Sequence, residues 1–427
     1  MTADTLKSRG SHWQPLFEPA DQDRVRAVIQ MIDVALREEL SRGVSSPDLG
    51  SGLSGMALFF GTLAQSSGDE STHSITHECL RQATDLLEVT PLGPGLYAGF
   101  TGVAWTAAHL EPDASAEMFS TVDDALLAHV SSHPWRAGFD LISGLVGIGV
   151  YFLERLPDSR ASAGLDEILS RLDESAEHTD CGITWKTRRE LVPEHQRSDG
   201  ADGYYNLGVA HGVPGVISFL GSCCSHPQLA SRSRPLLQDA VNWLNEQRMP
   251  AGCHSVFPYW NDTINSPSPA RTAWCYGDPG VATALLVASE GADVSEWKQF
   301  AVDIAKQALH RPFENTEVVD APLCHGAAGL GHLYNRFWNV TGEEIFREAA
   351  IDWFRVTLDL QTSQNSLAGF PAWKTTPEGL GWVDEPGFLE GAAGIGLALL
   401  SAVSDQPPRW DRPLLTCIDP EEQETTP

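Results

Sequence analysis

One short pattern recurs seven times along this chain and narrows the available folds more than any other feature. It is glycine, two residues, glycine, an apolar residue and then a small or apolar run. It appears as Gly52-Leu53-Ser54-Gly55-Met56, Gly99-Phe100-Thr101-Gly102-Val103 and Gly144-Leu145-Val146-Gly147-Ile148. It continues as Gly212-Val213-Pro214-Gly215-Val216 and Gly277-Asp278-Pro279-Gly280-Val281. The last two copies are Gly326-Ala327-Ala328-Gly329-Leu330 and Gly391-Ala392-Ala393-Gly394-Ile395. Their first glycines fall at 52, 99, 144, 212, 277, 326 and 391, so the intervals are 47, 45, 68, 65, 49 and 65 residues. Self-similarity of this period marks one supersecondary unit copied and stacked. A compact unit and a unit with a longer loop both occur.

Each motif opens an apolar stretch, such as Met56-Ala57-Leu58-Phe59-Phe60, Val216-Ile217-Ser218-Phe219-Leu220 or Leu397-Ala398-Leu399-Leu400. Helices apolar nearly all round are buried on both sides. Pro214 and Pro279 sit at early helical positions, where a missing N–H costs nothing. Before each motif lies an amphipathic segment. In Asp21 to Ser41, Val25, Val28, Ile29, Ile32, Leu36 and Leu40 share one face. The others are His77–Leu87, Ala116–Val130, Leu165–Ala176, Leu236–Gln247, Trp297–Leu309 and Glu343–Leu360. Strand signal is nearly absent. The spacing therefore predicts an all-α fold, an α/α-barrel (toroid) of seven inner and seven outer helices. An open solenoid would not divide its helices so sharply into two classes. The expected organisation is a single domain over residues 1–427, with a repeat core of about 21–404 and a tail over 405–427.

Composition excludes several functions. Lys+Arg 28 against Asp+Glu 57 gives a net charge of −29, which speaks against nucleic acid or an anionic membrane as the partner. The run Asp419-Pro420-Glu421-Glu422-Gln423-Glu424 is expected to be frayed and solvated. The start, Met1-Thr2-Ala3-Asp4-Thr5-Leu6-Lys7, lacks the apolar region of a signal peptide. The longest uncharged apolar run, Gly391 to Val403, is too short for a membrane span. A cytoplasmic setting is expected, in which the eight cysteines stay reduced as core filler, metal ligands or nucleophiles.

The repeat also aligns polar chemistry. The residues directly before the first glycines are Ser51, Ala98, Ser143, His211, Tyr276, His325 and Glu390. In a closed ring equivalent positions lie at one end, so these side chains should converge on one mouth. One position earlier, Cys275 and Cys324 are equivalent in neighbouring repeats. Cys275, Cys324 and His325 are thus expected together, and two thiolates with one imidazole suit Zn²⁺ with a fourth position open. Cys253-His254 is a similar pair but lies out of phase in a long loop, so it reads as structural. Cys223-Cys224 reads as core, His332 as a packed histidine, and Cys79, Cys181 and Cys417 as incidental.

Tyr205-Asn206-Leu207-Gly208-Val209-Ala210-His211-Gly212-Val213-Pro214-Gly215, Ala273-Trp274-Cys275-Tyr276-Gly277-Asp278-Pro279-Gly280 and Leu323-Cys324-His325-Gly326 resemble the three signature motifs of the lanthionine synthetase C family, the lanthipeptide cyclases. Asp140-Leu141-Ile142-Ser143-Gly144 and Phe388-Leu389-Glu390-Gly391 match as well, and the resemblance spans about Gly52 to Val403. It implies one central zinc on Cys275, Cys324 and His325. It further implies addition of peptide cysteine thiols to dehydroalanine or dehydrobutyrine, forming thioether rings. Asp140, His211, Arg271 and Tyr276 match residues of the family's active site. On this reading His211 is the acid that protonates the enolate, Asp140 orients it and Arg271 stabilises the developing charge. Simpler readings stand beside these: a surface ion pair for Arg271, a helix N-cap for Asp140 and packing for Tyr276. Glu390 reads as a helix-terminal charge favoured by the dipole.

Three other classes compete. Protein prenyltransferase β-subunits share the fold type and zinc–thiolate chemistry but not this motif set. A glycoside hydrolase needs two opposed carboxylates at the mouth. A thiol-binding or glutathione-adding relative of the cyclases would keep the zinc, and the alternative function is of this kind. The combination of His211, Asp140 and Arg271 favours an enzyme. The length of 427 residues suggests a standalone cyclase. The resemblance then implies a dehydrated precursor peptide as substrate, a separate dehydratase and an exporter as partners, and a possible place beside a membrane-associated biosynthetic complex. The longer loops before Gly212, Gly277 and Gly391 are the candidates for peptide contact.

Overall fold

The computed structural model describes residues 13–192, 197, 201–262, 264–362, 366–377 and 379–418. The acidic run from Asp419 and the first residues, Met1 to Lys7, lie outside them. Fourteen α-helices alternate along the described chain. The first eight are α1 (Pro19–Arg42), α2 (Leu53–Ser67), α3 (Glu70–Leu87), α4 (Phe100–Leu110), α5 (Ala116–Val130), α6 (Leu145–Glu154), α7 (Ser159–Ser175) and α8 (Val213–Cys224). The rest are α9 (Pro227–Asn245), α10 (Asp278–Ala292), α11 (Ser295–Ala308), α12 (Ala327–Thr341), α13 (Glu344–Asp359) and α14 (Ala392–Val403).

Every even-numbered helix starts one residue after the first glycine of a motif. These seven touch one another in order from α2 to α14, and α14 meets α2, so they close an inner ring. They are buried nearly all round; every residue of α14 is buried. The odd-numbered helices form the outer layer, each on the inner helix that precedes it in sequence, from α3 on α2 to α13 on α12. The first helix, α1, covers the last inner helix, α14. The first outer helix thus pairs with the final repeat, and the chain's two ends clasp the ring. The fold is the helical toroid the repeat predicts. Some outer helices begin well before the predicted segments, as α9 does at Pro227 instead of Leu236. Their first turns carry little apolar periodicity, and Pro227 serves as a helix start.

The paired glycines are required where backbone meets backbone. A Cβ on Gly52 would collide with the Ser46 carbonyl, and one on Gly212 with the Asn206 carbonyl. At the second glycine the obstacle is the carbonyl three residues before the motif, Leu96 for Gly102 and Phe388 for Gly394. Carbonyls of the same entry loop satisfy the helix starts: Leu53 N–H donates to Ser46 O at 2.9 Å, Ala327 to Asp320 at 3.0 Å and Ala392 to Glu385 at 2.9 Å. The loop's backbone therefore caps these inner helices in place of a side chain.

A second set of bonds joins the repeats to each other. It involves the residue two places before each first glycine. Gly50 N–H donates to Tyr97, Tyr97 to Ile142, Ala210 to Cys275, Cys275 to Cys324, Cys324 to Leu389, and Leu389 back to Gly50. Only the step from Ile142 to Ala210 lacks such a bond among the described residues. This circle of peptide groups is the floor of the mouth.

Three small sheets lie in the long loops, which the sequence showed almost without strand signal. They are β1 (Glu177–Thr179) with β2 (Gly182–Thr184), β3 (Thr187–Arg188) with β4 (Gly203–Asn206) and β5 (Trp260–Asn261), and β6 (Ala372–Thr376) with β7 (Gly379–Val383). Strands of two to five residues are too short for an alternating pattern to register, and β4–β5 pairing joins different repeats.

The segment after α14, expected as a tail, packs inside the ring as far as it is described. Tyr97 O–H donates to Pro413 O (2.8 Å), Trp274 Nε1–H to Leu414 O (2.9 Å) and Ser218 O–H to Leu415 O (2.7 Å). Asp411 is fully buried and accepts from His332 Nε2, Arg336 and Thr416 at 2.8, 2.8 and 2.9 Å. His332 is the packed core histidine the sequence suggested, with a partner the sequence could not supply. Burial pushes the Asp411 carboxyl up, but the Arg336 charge and the His332 bond hold it far below the ordinary carboxylate range. A depressed pKa stabilises the fold above the unfolded-state value of about 3.9, and that contribution fades as pH falls. Asp411→Ala should cost about 3–5 kcal/mol by leaving Arg336 buried without its counter-ion. Urea titration at neutral pH measures this loss.

Candidate functional site

Cys275 and Cys324 are neighbours because their peptides bond directly, Cys275 N–H to Cys324 O at 3.1 Å. Successive turns of the inner ring thereby place both thiols at the mouth, with His325 one residue further on. The ligating atoms of Cys275, Cys324 and His325 all lie within 4.8 Å of one another. It is the one metal-capable cluster of this kind among the described residues. Cys275 and Cys324 are 6% and 8% exposed, so the thiols sit just below the surface of the mouth. The hydrogen bond from Cys324 holds Cys275 well below the ordinary thiol range against its burial, helped by His325 and Arg271, while Cys324 is pushed up in return. The pair thus carries a thiolate as a unit. Cys253 and His254 stand apart from this cluster, and Cys223 and Cys224 are core, as expected.

The seam between the third and fourth repeats, where the floor lacks its backbone hydrogen bond, is joined by side chains. His211 Nδ1–H donates to Asp140 Oδ2 at 2.8 Å. Asp140 Oδ1 accepts the Ser143 N–H at 2.8 Å, so the same carboxylate also caps the turn into α6. The His211 side chain is 43% exposed and opens into the mouth, whereas Asp140 is 17% exposed. Desolvation alone would lower the His211 pKa, but the Asp140 bond and charge outweigh it and raise the pKa above its ordinary value. Such a histidine is charged more of the time and keeps a proton available toward the mouth.

Tyr276 sits beside it. Its ring lies 6.5 Å from His211 and 5.6 Å from Tyr259, and its oxygen accepts from Asn206 Nδ2 at 2.9 Å. Arg271 is half-buried, with Nε 3.8 Å from Glu317 Oε2 and without a hydrogen-bond partner. The charges acting on it include both thiols, Cys275 first. Arg271 is thus half-buried and close enough to the thiol pair for its charge to be felt there, besides its ion pair with Glu317. Glu317 also accepts from Tyr259 O–H at 3.0 Å and stands at φ 63°, a strained conformation for a non-glycine residue. Glu390 does precede α14, but it is also paired, with Lys374 Nζ at 2.9 Å. Lys374, on β6, reaches Glu385 at 2.9 Å as well.

Sequence reasoning named Arg271 but missed the other members of the ring of residues it belongs to. Asn206, Arg271, Asp320 and Glu385 each lie six places before a first glycine, in phase with the first ring. Asn206 supports Tyr276, Asp320 lies 3.8 Å from His325 Nε2, and Glu385 holds Lys374. The signal was present in the repeat register, but apart from Arg271 only the two positions nearest the glycine were read. Lys374 carries no such signal, since it comes from a hairpin between repeats.

A closed ring of seven helix pairs, presenting two thiols and an imidazole beside a His–Asp pair, defines a toroid with the side chains for thiol chemistry. The chain belongs to the lanthionine synthetase C-like protein family, whose model matches residues 43–415. It is 23% identical to the nisin biosynthesis protein NisC of Lactococcus lactis subsp. lactis over 377 residues, 82% of this chain and 84% of that protein. Its fold resembles that of the solved nisin cyclase with a TM-score of 0.73 at 20% identity, covering 93% of this chain and 98% of that one.

Replacing Asp140 with Asn should lower the His211 pKa, because burial then acts without the opposing carboxylate. An NMR titration of the imidazole Cε1–H reads it directly, and an unmoved midpoint would refute the coupling.

Proposed function

We propose that this protein is a zinc-dependent lanthipeptide cyclase, closing thioether rings by adding cysteine thiols of a dehydrated peptide to its dehydroalanine or dehydrobutyrine residues. The observation that carries the reading is the convergence of Cys275, Cys324 and His325 beside the His211–Asp140 pair at one mouth. The family membership and the likeness to the nisin biosynthesis protein support it.

The donor set fits Zn²⁺. Two thiolates and one imidazole are soft ligands, and three protein ligands leave a position for an exchangeable one. Cys275, Cys324 and His325 would hold the ion, which when bound supplies a lowered pKa for a fourth, substrate thiol. The residues of the chain then do the remaining work. The peptide sulfur attacks the β-carbon, a C–S bond forms, and the C=C electron pair moves to the carbonyl oxygen as an enolate. The Arg271 guanidinium would offset this charge. His211 returns a proton to the α-carbon, and Asp140 keeps it charged and aimed. Tyr276, fixed by Asn206, bounds the space in which the α-carbon lies. The long loops that carry β4–β5 and the β6–β7 hairpin are the candidates for peptide contact.

The substrate already carries dehydrated residues, so a dehydration step must precede this one; a dehydratase and an exporter are the proposed partners. No helix among the described residues is long and apolar enough to cross a membrane. The cytoplasmic setting is part of the same proposal, as is any place beside a membrane complex.

Incubation with a dehydrated, cysteine-containing precursor should consume free thiols, counted with a thiol reagent. Complete zinc removal should stop the loss; unchanged consumption would sink the mechanism. Cys275→Ala should lose bound zinc by metal analysis, and full occupancy would refute the ligand set. His211→Ala should keep its zinc yet slow ring closure by about 10²–10⁴-fold, the range of a lost general acid.

A further inference from the structure

Asp320 is the most deeply buried charged group around the mouth, and the chemistry described above gives it no role. Its side chain is 0% exposed, and Oδ1 has no hydrogen-bond partner. Oδ2 accepts the backbone N–H of Trp373 at 3.0 Å and lies 3.8 Å from His325 Nε2. Burying a carboxylate with one oxygen unpaired is costly, and such groups persist where a partner or a task holds them. The residue opens the loop that carries Cys324 and His325, and its own carbonyl caps α12 through Ala327. Both its backbone and its side chain are thus fixed before His325 is placed.

We infer that Asp320 is a positioning residue for the metal centre, fixing His325 through Nε2–H so that Nδ1 is the nitrogen turned to the thiols. An imidazole bound to a metal through one nitrogen needs its other N–H held, and a buried carboxylate is a common holder. The two ring nitrogens lie on opposite edges of the ring, so an Nε2 facing Asp320 leaves Nδ1 for the side of Cys275 and Cys324. The Trp373 bond adds a second consequence. Trp373 lies on β6, the strand whose Lys374 reaches Glu385 and Glu390. The hairpin between the sixth and seventh motifs is therefore anchored on the carboxylate that aims the metal ligand. Asp320 joins the β6–β7 hairpin to the metal centre through one side chain, by a hydrogen bond from Trp373 and an ion-pair contact with His325.

This inference rests on the metal centre of the proposed function, but its test reads metal binding and not turnover. Zinc affinity of the full chain is measured by competition with a chromophoric chelator for the wild type, Asp320→Ala and Asp320→Asn. Asp320→Ala should bind zinc 10–100-fold more weakly, the usual cost of removing such a holder. Asp320→Asn, which keeps the shape and one acceptor oxygen, should fall between it and the wild type and covers the case in which the alanine variant does not fold. In ¹⁵N-histidine spectra of the zinc-loaded protein, His325 should be protonated on Nε2, with that proton exchanging faster in Asp320→Asn. Affinities within twofold of wild type, or zinc bound through Nε2, would overturn the inference while leaving the cyclase reading intact. A wild-type chain that binds no zinc would overturn both.

Discussion

The hydrogen bond from Cys275 N–H to Cys324 O is one link of a circle of peptide groups, and the site depends on that circle. It joins residues two places before each helix start, so it fixes the distance between neighbouring repeats at the level of the main chain. Side chains that follow it in sequence inherit that spacing. A thiol pair on flexible loops would repel or oxidise. On this floor, two thiols and an imidazole are held within 4.8 Å while remaining nearly buried. Where the circle is broken, between Ile142 and Ala210, the His211–Asp140 bond spans the seam. The break in backbone pairing and the proposed proton donor thus occupy the same place.

The glycines follow from the same constraint. Helix starts can crowd the loop backbone only without a Cβ, as the collisions at Gly52, Gly102 and Gly394 show. This close approach lets the loop's carbonyls cap the helices, which frees the polar side chains before each glycine from capping. Ser, Asp or Asn would ordinarily be used at such ends. Here His211, Tyr276 and His325 stand next to the helix starts and point their chemistry elsewhere.

Two layers of polar residues then build the mouth. The nearer layer carries the thiols, the imidazoles and Tyr276; the farther one, six places before the glycines, carries Asn206, Arg271, Asp320 and Glu385. The farther residues mostly hold the nearer ones, as Asn206 does for Tyr276. From below, the segment around Trp410, Asp411 and Leu414 fills the ring and ties it to α12. The proposed chemistry is therefore supported on one side by short strands from the long loops and on the other by a packed plug.

The sequence by itself determined the ring, the two classes of helix and the meeting of Cys275, Cys324 and His325. Each of these follows from register, because a repeat of fixed phase repeats its geometry as well. The placement of His211 and Arg271 at the same mouth was legible for the same reason. What only the tertiary structure decided lies outside that register. The pairing of α1 with α14, the Asp411 cluster with His332 and Arg336, and Lys374 between Glu385 and Glu390 all join segments with no periodic relation. Short strands and single buried ion pairs leave no pattern in one chain, since their partners come from loops of irregular length. Asp320 stands between the two cases: its position was in phase with the repeat, but only its burial and its distance to His325 gave that position a meaning.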